Sequence, residues 1–227
     1  MMLFVSNREL VVPGKLLADE EYQAGEGTFL ENGKIFSAVV GLAEVKDKSV
    51  GVISLQGRYI PRQGDKVIGI VIDTHPFGWI VDLNSPYTGN LMVSDLVGRK
   101  VDVFKEDLGK FLKIGDAVIA EVRKVDERWR VQLTASERGL GKIRGGRLVE
   151  ISPAKVPRVI GRRGSMLKVL EETTGCKLEV GLNGRILVRG KDPKKINSVV
   201  EAILLIEREA HLSGLTDRIK AKLEKER

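Results

Sequence analysis

One cysteine, Cys176, and two histidines are the only thiol and imidazole groups in 227 residues. An internal disulfide is therefore excluded, and the ligand clusters of a structural zinc site cannot be assembled. No metal is expected. No run approaches the roughly 18 consecutive apolar residues of a membrane span, and the opening MMLFVSNREL has no basic segment leading into an apolar core. The expectation is a cytoplasmic protein with no membrane partner. Catalytic motifs are missing too. There is no GxxxxGK[ST], and Gly139, Gly141 and Gly145 miss GxGxxG by one position. HExxH, CxxC and GxSxG are absent, and the acidic residues of the middle third alternate with basic ones instead of clustering. No catalytic residue and no cofactor is expected, and the chain is read as not an enzyme.

What is present is charge in one place. Apolar residues make up 42% of the chain and charged residues 30%, enough for real cores, with a formal net charge of +7. Residues 1–60 hold 6 basic and 8 acidic groups, residues 61–140 hold 12 of each, and residues 141–227 hold 20 basic and 11 acidic. The excess lies entirely in the last third. Between Lys142 and Lys168, eight Lys or Arg face one acid, Glu150, the footprint of a polyanion partner, nucleic acid ahead of an acidic membrane surface. Lys142, Arg144, Arg147, Lys155, Arg158 and Lys168 are the candidate basic patch.

The pattern of turns divides the chain. Short β-rich runs such as SAVVGLAEV and SVGVISL, broken by VPG, GEG, ENGK and KDK, read as a small β domain over residues 1–61, with a hairpin turn at Lys46–Lys48. After Pro61, strand-like segments in GDKVIGIVIDTHPFGWIVDL and KIGDAVIAEVRKVDERWRVQLTAS predict a five-stranded OB-type barrel over 62–137. RGLGKIRGGR, with four glycines, reads as a linker over 138–145. From 146 to 210 the order is βααββα, an α+β domain. In it Asn183-Gly184 is expected to form a type I′ turn and Asp192-Pro193 to start the last helix. Residues 211–227 read as a basic helical tail with few apolar anchors, of doubtful stability alone.

Within that βααββα segment, VIGRRGS places Gly161 and Gly164 around Arg162 and Arg163 between two helices. Glycine lets the backbone approach a phosphodiester, the next helix offers amides, and the arginines add charge. A lone GxxG is common. With Val159 and Ile160 before it, Met166, Leu167 and Leu170 after it, and a hairpin following, the segment resembles a KH domain. Ile160, Leu167, Leu178 and Val180 would form its core or groove floor. The barrel resembles an S1-like RNA-binding domain in its FGWIVDL strand, its GNLMVSDL stretch and the Val122, Val125, Asp126 spacing. By position Phe77 and Ile80 fall where that family often has aromatics, Met92 where it often has His, and Asp126 and Arg130 on its polar pair. Ile80 and Met92 depart from the pattern, which weakens base stacking there. Trp79 is expected in core or interface, and His75, in a loop, is assigned no role.

The whole order, together with the phrases VVPGKLL, RYIPRQGD, KVPRVIGRRGSM and GLNGRILVRG, resembles the S1- and KH-bearing RNA-binding cap subunit of the archaeal exosome over about residues 5–210. The resemblance implies a non-catalytic subunit that binds single-stranded RNA. It would sit, in three copies and possibly mixed with another cap subunit, on a hexameric RNase PH-type ring, and guide the 3′ end inward for 3′-to-5′ degradation or processing. The alternative is a transcription elongation factor of the NusA type or another free RNA-binding protein with S1 and KH modules. The NusA family carries a second KH domain, for which this chain is too short. Polynucleotide phosphorylase has KH before S1, behind a large catalytic core.

Overall fold

The structure, a computed structural model, describes residues 2–99, 107–210 and 214–225. It divides into two compact units, one ending at Gly57 and one starting at Arg58. It is mainly β with a C-terminal α+β part, as the patterning predicts.

The first unit holds β1 (Leu10–Val11), β2 (Leu16–Asp19), β3 (Gln23–Ala24), β4 (Thr28–Glu31), β5 (Lys34–Ser37), β6 (Gly41–Lys46) and β7 (Ser49–Ser54). They form two small sheets, β1-β6-β7-β3 and β2-β5-β4. Val11, Leu17, Ile35, Ala43, Val50 and Val52 alternate inward to form its core. Hairpin β6–β7 turns at Asp47 and Lys48, where the sequence places it. Hairpin β4–β5 turns through Asn32 and Gly33, both left-handed at φ 49° and 71°, which is the type I′ requirement.

In the second unit, β8 (Lys66–His75), β9 (Gly78–Asp82), β10 (Thr88–Met92), β11 (Ala117–Val125) and β12 (Val131–Thr134) pair in the order β12-β10-β9-β8-β11, and β11 returns to β12. The five strands thus close into a barrel with no free edge among them. A short helix, α1 (Val93–Val97), follows β10. Val67, Val71, Trp79, Val81, Leu91, Val118, Val122, Val131 and Leu133 fill the interior. Trp79 is fully buried and its indole N–H donates to Leu112 O at 3.1 Å. Residues 58–61 were expected to close the first domain. Instead Tyr59 packs into this barrel, its hydroxyl donating to Asp65 Oδ2 at 2.6 Å. Burial first, and then the Asp65 carboxylate, push the Tyr59 phenol far above its ordinary range.

The expected linker is also part of the barrel: β13 (Gly141–Lys142) pairs with β11. Its glycines reduce the strand signal, but β12 pairs only with Glu121–Val125 of β11, and the stretch of β11 before it, at Val118 and Ile119, supplies the partner groups that a strand needs. Beyond it come β14 (Arg147–Glu150), α2 (Val156–Ile160), α3 (Ser165–Thr174), β15 (Lys177–Val180), β16 (Arg185–Arg189) and α4 (Pro193–Arg208), the βααββα order, with an antiparallel sheet β14-β16-β15. Asp192 caps α4 by accepting from Lys194 N at 2.9 Å, and Pro193 occupies the first turn.

The tail corrects the sequence reading. Residues 211–213 and 226–227 lie outside the described residues, but α5 (Leu215–Lys225) buries Leu215, Ile219 and Leu223 in the KH-like core. These residues are spaced i, i+4, i+8 and so share one helical face. Three anchors at about 1.5–3 kcal/mol each suffice to hold a helix that would be marginal alone.

The Asn183-Gly184 turn is a second correction. Gly181 N donates to Arg185 O at 2.8 Å and Gly184 N to Gly181 O at 3.2 Å, and only Gly184 is left-handed, at φ 86°. This is a three-residue turn closed by a left-handed glycine, not type I′. Asn183 does not take the left-handed backbone of a type I′ turn, and its side chain is committed elsewhere. Completely buried, its Oδ1 accepts from Ile68 N at 3.2 Å, and its Nδ2 donates to Ile68 O at 2.8 Å and Leu83 O at 3.0 Å. The amide thus reads the barrel backbone as another strand would. Arg185, 4% exposed, reinforces the joint: its guanidinium donates to Asp82 O at 2.8 Å and Glu150 Oε1 at 2.6 Å, and bonds the Asp82 carboxylate. An apolar cluster of Ile68, Ile119 and Leu187 lies beneath it.

Candidate nucleic-acid interface

Two surfaces of the second unit bring sequence-predicted residues together. The first is the outer face of the barrel. Along β9, Trp79 and Val81 point inward, so Ile80 points outward opposite Asn90, while Met92, also outward, stands opposite Gly78. Phe77 and Trp79 are two apart and would share a face in a continuous strand. Phe77 escapes that alternation because it lies in the turn before β9, where it is 50% exposed. His75, given no role from sequence, holds that turn: the Phe77 amide donates to His75 Nδ1 at 3.3 Å, and His75 Nε2 is 3.0 Å from Asn90 Oδ1. With Nδ1 accepting, the ring proton sits on Nε2 and is donated to Asn90. The signal that could have found it is the two-residue spacing from Phe77, which is too common to be used alone.

Asp126 and Arg130 lie at the other end of this face, beside Thr88, because Val131 pairs with Gly89. Met92 to Thr88 is four residues, about 13 Å at strand rise. Asp126 Oδ1 accepts from the amides of Arg128 and Arg130, both at 2.9 Å, and Oδ2 accepts from Arg130 Nε at 2.6 Å. The Arg130 amide foremost, then the Arg130 side chain and the Arg128 amide, hold the Asp126 carboxyl below the usual carboxylate range. Its contribution to the turn is therefore present at neutral pH and is lost only as pH falls through that lowered value. Asp126 organises the β11–β12 turn, and the two terminal guanidinium nitrogens of Arg130 carry no hydrogen bond or ion pair among the described residues.

The second surface is the GxxG loop. Gly161 has φ 75° and ψ 172°, and a Cβ there would come within 2.6 Å of Met166 N and 2.8 Å of Met166 Cβ. Gly164, at φ 78°, has open space where its Cβ would be. Gly161 is thus required by the α2–α3 junction itself, whereas Gly164 leaves the backbone open to an approaching group. Arg162 and Arg163 are exposed, with Arg163 left-handed at φ 53°. Ile160, Leu167 and Val180 are half-buried beside the core, as a groove floor requires, while Leu178 is core.

The basic patch is less uniform than its sequence suggests. Lys142 pairs with Asp116, where burial works to raise the carboxyl and the Lys142 ammonium and Lys113 amide outweigh it, lowering its pKa. Arg147 bonds Asn197, and Lys168 lies 3.7 Å from Glu172. Arg144, Lys155 and Arg158 carry no ion pair among the described residues and remain available with Arg162 and Arg163. Among the described residues no helix is long and apolar enough to cross a membrane.

Comparison with known proteins follows this division. Residues 8–56 match the exosome RNA binding protein RRP4 N-terminal domain, residues 58–124 the RRP4 S1 domain, and residues 147–205 the KH domain. The exosome complex component Rrp4 of Methanothermus fervidus is 49% identical over 219 residues, 96% of each chain. That of Pyrococcus abyssi is 45% identical over 223 residues, 97% of this chain and 84% of its own. A solved structure described as a candidate exosome complex RNA-binding protein superposes with a TM-score of 0.71 at 45% identity, over 75% of this chain and 97% of the other. With three domain models in chain order and relatives that match almost from end to end, the chain belongs to the Rrp4 family of exosome complex components.

Proposed function

We propose that this chain is a non-catalytic, cytoplasmic cap subunit of an exosome. In this reading it holds single-stranded RNA on the barrel face and the GxxG loop while the 3′ end passes to a hexameric RNase PH-type ring, on which three copies sit, alone or mixed with another cap subunit. The observation that carries the reading is the pairing, within one compact unit, of two exposed cation-bearing surfaces. One presents Phe77 and Arg130, the other Arg162 and Arg163 beside open backbone at Gly164. Both take a flexible phosphodiester with unpaired bases, and neither offers an acid–base pair for cleavage. The first unit suits docking to the ring. Its charge is near balance, and Leu10, Val12, Leu30 and Phe29, which stacks on the half-buried Phe36, are exposed apolar groups of the kind an interface buries.

The native mass of the complex recovered with this chain tests the reading. A ring of RNase PH-type subunits carrying up to three copies is expected, and recovery with RNA polymerase, ribosomes or as a lone monomer overturns it. At residue level, Phe77→Ala is expected to weaken RNA retention by roughly 1–3 kcal/mol if the ring stacks on a base. Because Phe77 is half exposed, melting should change by only about 0.5 kcal/mol. Global unfolding of the variant would instead assign Phe77 to the core.

A further inference from the structure

Two hairpin turns of the second unit share one backbone plan. Between β15 and β16, the turn Gly181–Arg185 places a glycine, Gly184, at its left-handed position. Between β11 and β12, Asp126 N donates to Arg130 O at 3.2 Å and Trp129 N to Asp126 O at 2.9 Å, the same pair of bonds, and the left-handed residue is Trp129 at φ 58°. That conformation costs an L-residue about 1–2 kcal/mol and costs glycine nothing. A bulky residue held there marks a position kept for its side chain.

Core packing does not account for the choice. Trp79 is fully buried, whereas Trp129 is 45% exposed. One face of its indole is covered by Tyr87, with ring centroids 4.7 Å apart and planes within 8°. The exposed area is therefore the opposite face and the rim. Its chain neighbours Arg128 and Arg130 line an open depression of about 610 Å³ together with Lys124, Val125, Asp126 and Glu127. The Asp126 carboxylate is spent on the turn, while Lys124 and Arg128 are exposed and carry no ion pair among the described residues. Glu127 is the one uncommitted acid, so the rim is net cationic. Trp129 belongs to the β11–β12 turn beside Arg130, at the Thr88 end of β10 and away from Phe77, and the outward positions between them, Ile80, Asn90 and Met92, offer no ring.

We propose that Trp129, backed by Tyr87, is a stacking platform for one unpaired base of single-stranded RNA, with Lys124, Arg128 and Arg130 holding the adjacent phosphates. The inference rests on the RNA-binding reading above and assigns to it a residue outside the positions named from sequence. Every base offers a π face, so the platform fixes the strand without selecting its sequence.

The test uses the full chain and an oligoadenylate of about 12 nucleotides, within the span of one barrel. On binding, the solvent-exposed component of tryptophan emission should be quenched and become protected from acrylamide, because only Trp129 is exposed among the two tryptophans. Trp129→Gly should bind roughly 5- to 150-fold more weakly, the range of one lost base stack, with unchanged or higher melting temperature, since glycine relieves the left-handed strain. Wild-type chain that binds the oligonucleotide without change in tryptophan emission overturns the platform, as does Trp129→Gly with wild-type affinity. Both outcomes leave the RNA-binding reading standing. Failure of the wild-type chain to bind at all overturns that reading itself.

Discussion

Asn183→Ala is expected to lower the melting temperature of the chain by roughly 10 °C. The substitution leaves Ile68 N, Ile68 O and Leu83 O without their partner in a site that is completely buried. Each orphaned group costs about 1–3 kcal/mol, and partial rehydration brings the sum to roughly 3–5 kcal/mol. For a unit of this size about 1 kcal/mol shifts melting by 2–4 °C. Calorimetry or circular dichroism reads the shift, and hydrogen exchange at the Ile68 amide localises it. Leu182→Ala, one residue away at 39% exposure, is the matched control and should move melting by only about 0.5 kcal/mol. An Asn183→Ala chain that melts like wild type would show that the barrel and the KH-like sheet are not joined by this side chain. The same joint explains why the loop is GLNG. At Gly181 a Cβ would come within 2.5 Å of Asn183 Oδ1, and at Gly184 within 2.2 Å of Ile151 O.

The second large effect is on RNA. Arg162→Asp with Arg163→Asp reverses both exposed charges of the GxxG loop, and Asp tolerates the left-handed backbone that Arg163 adopts at φ 53°. Folding should therefore be unaffected. If each arginine holds one phosphate by a charge-assisted bond of at least about 1.5 kcal/mol, single-strand affinity falls roughly 100-fold. The slope of log affinity against log salt becomes shallower by about 1.4, at about 0.7 per phosphate. Titrations at several salt concentrations measure both quantities. An unchanged slope removes the loop from the RNA path and leaves the barrel face as the contact.

Much of this molecule is legible locally because its signals are local. GxxG between two apolar helical segments, Asp192-Pro193 before a helix, and the inward alternation of Trp79 and Val81 each need only a few neighbouring residues to take effect. The same dipeptide shows where locality ends. Asn32-Gly33 forms the type I′ turn that Asn-Gly favours, while Asn183-Gly184 does not, because the barrel backbone competes for the Asn183 amide. Charge behaves likewise. Lys142 and Arg147 count toward a basic segment in sequence, yet Asp116, 26 residues away, and Asn197, 50 away, engage them in the fold.

The sequence by itself determined the domain order, the GxxG loop, the concentration of positive charge in the last third and the family, since each is carried by residue type and short spacing. Only the tertiary structure decided what depends on partners distant in the chain. It seated the last helix through Leu215, Ile219 and Leu223, drew Gly141–Lys142 into the barrel and locked the barrel to the KH-like sheet through Asn183. It also brought Tyr87 beneath Trp129, 42 residues further on, and so turned two scattered aromatics into one surface. Burial and hydrogen bonding are satisfied in space, and spacing along the chain does not reveal which distant group will supply them.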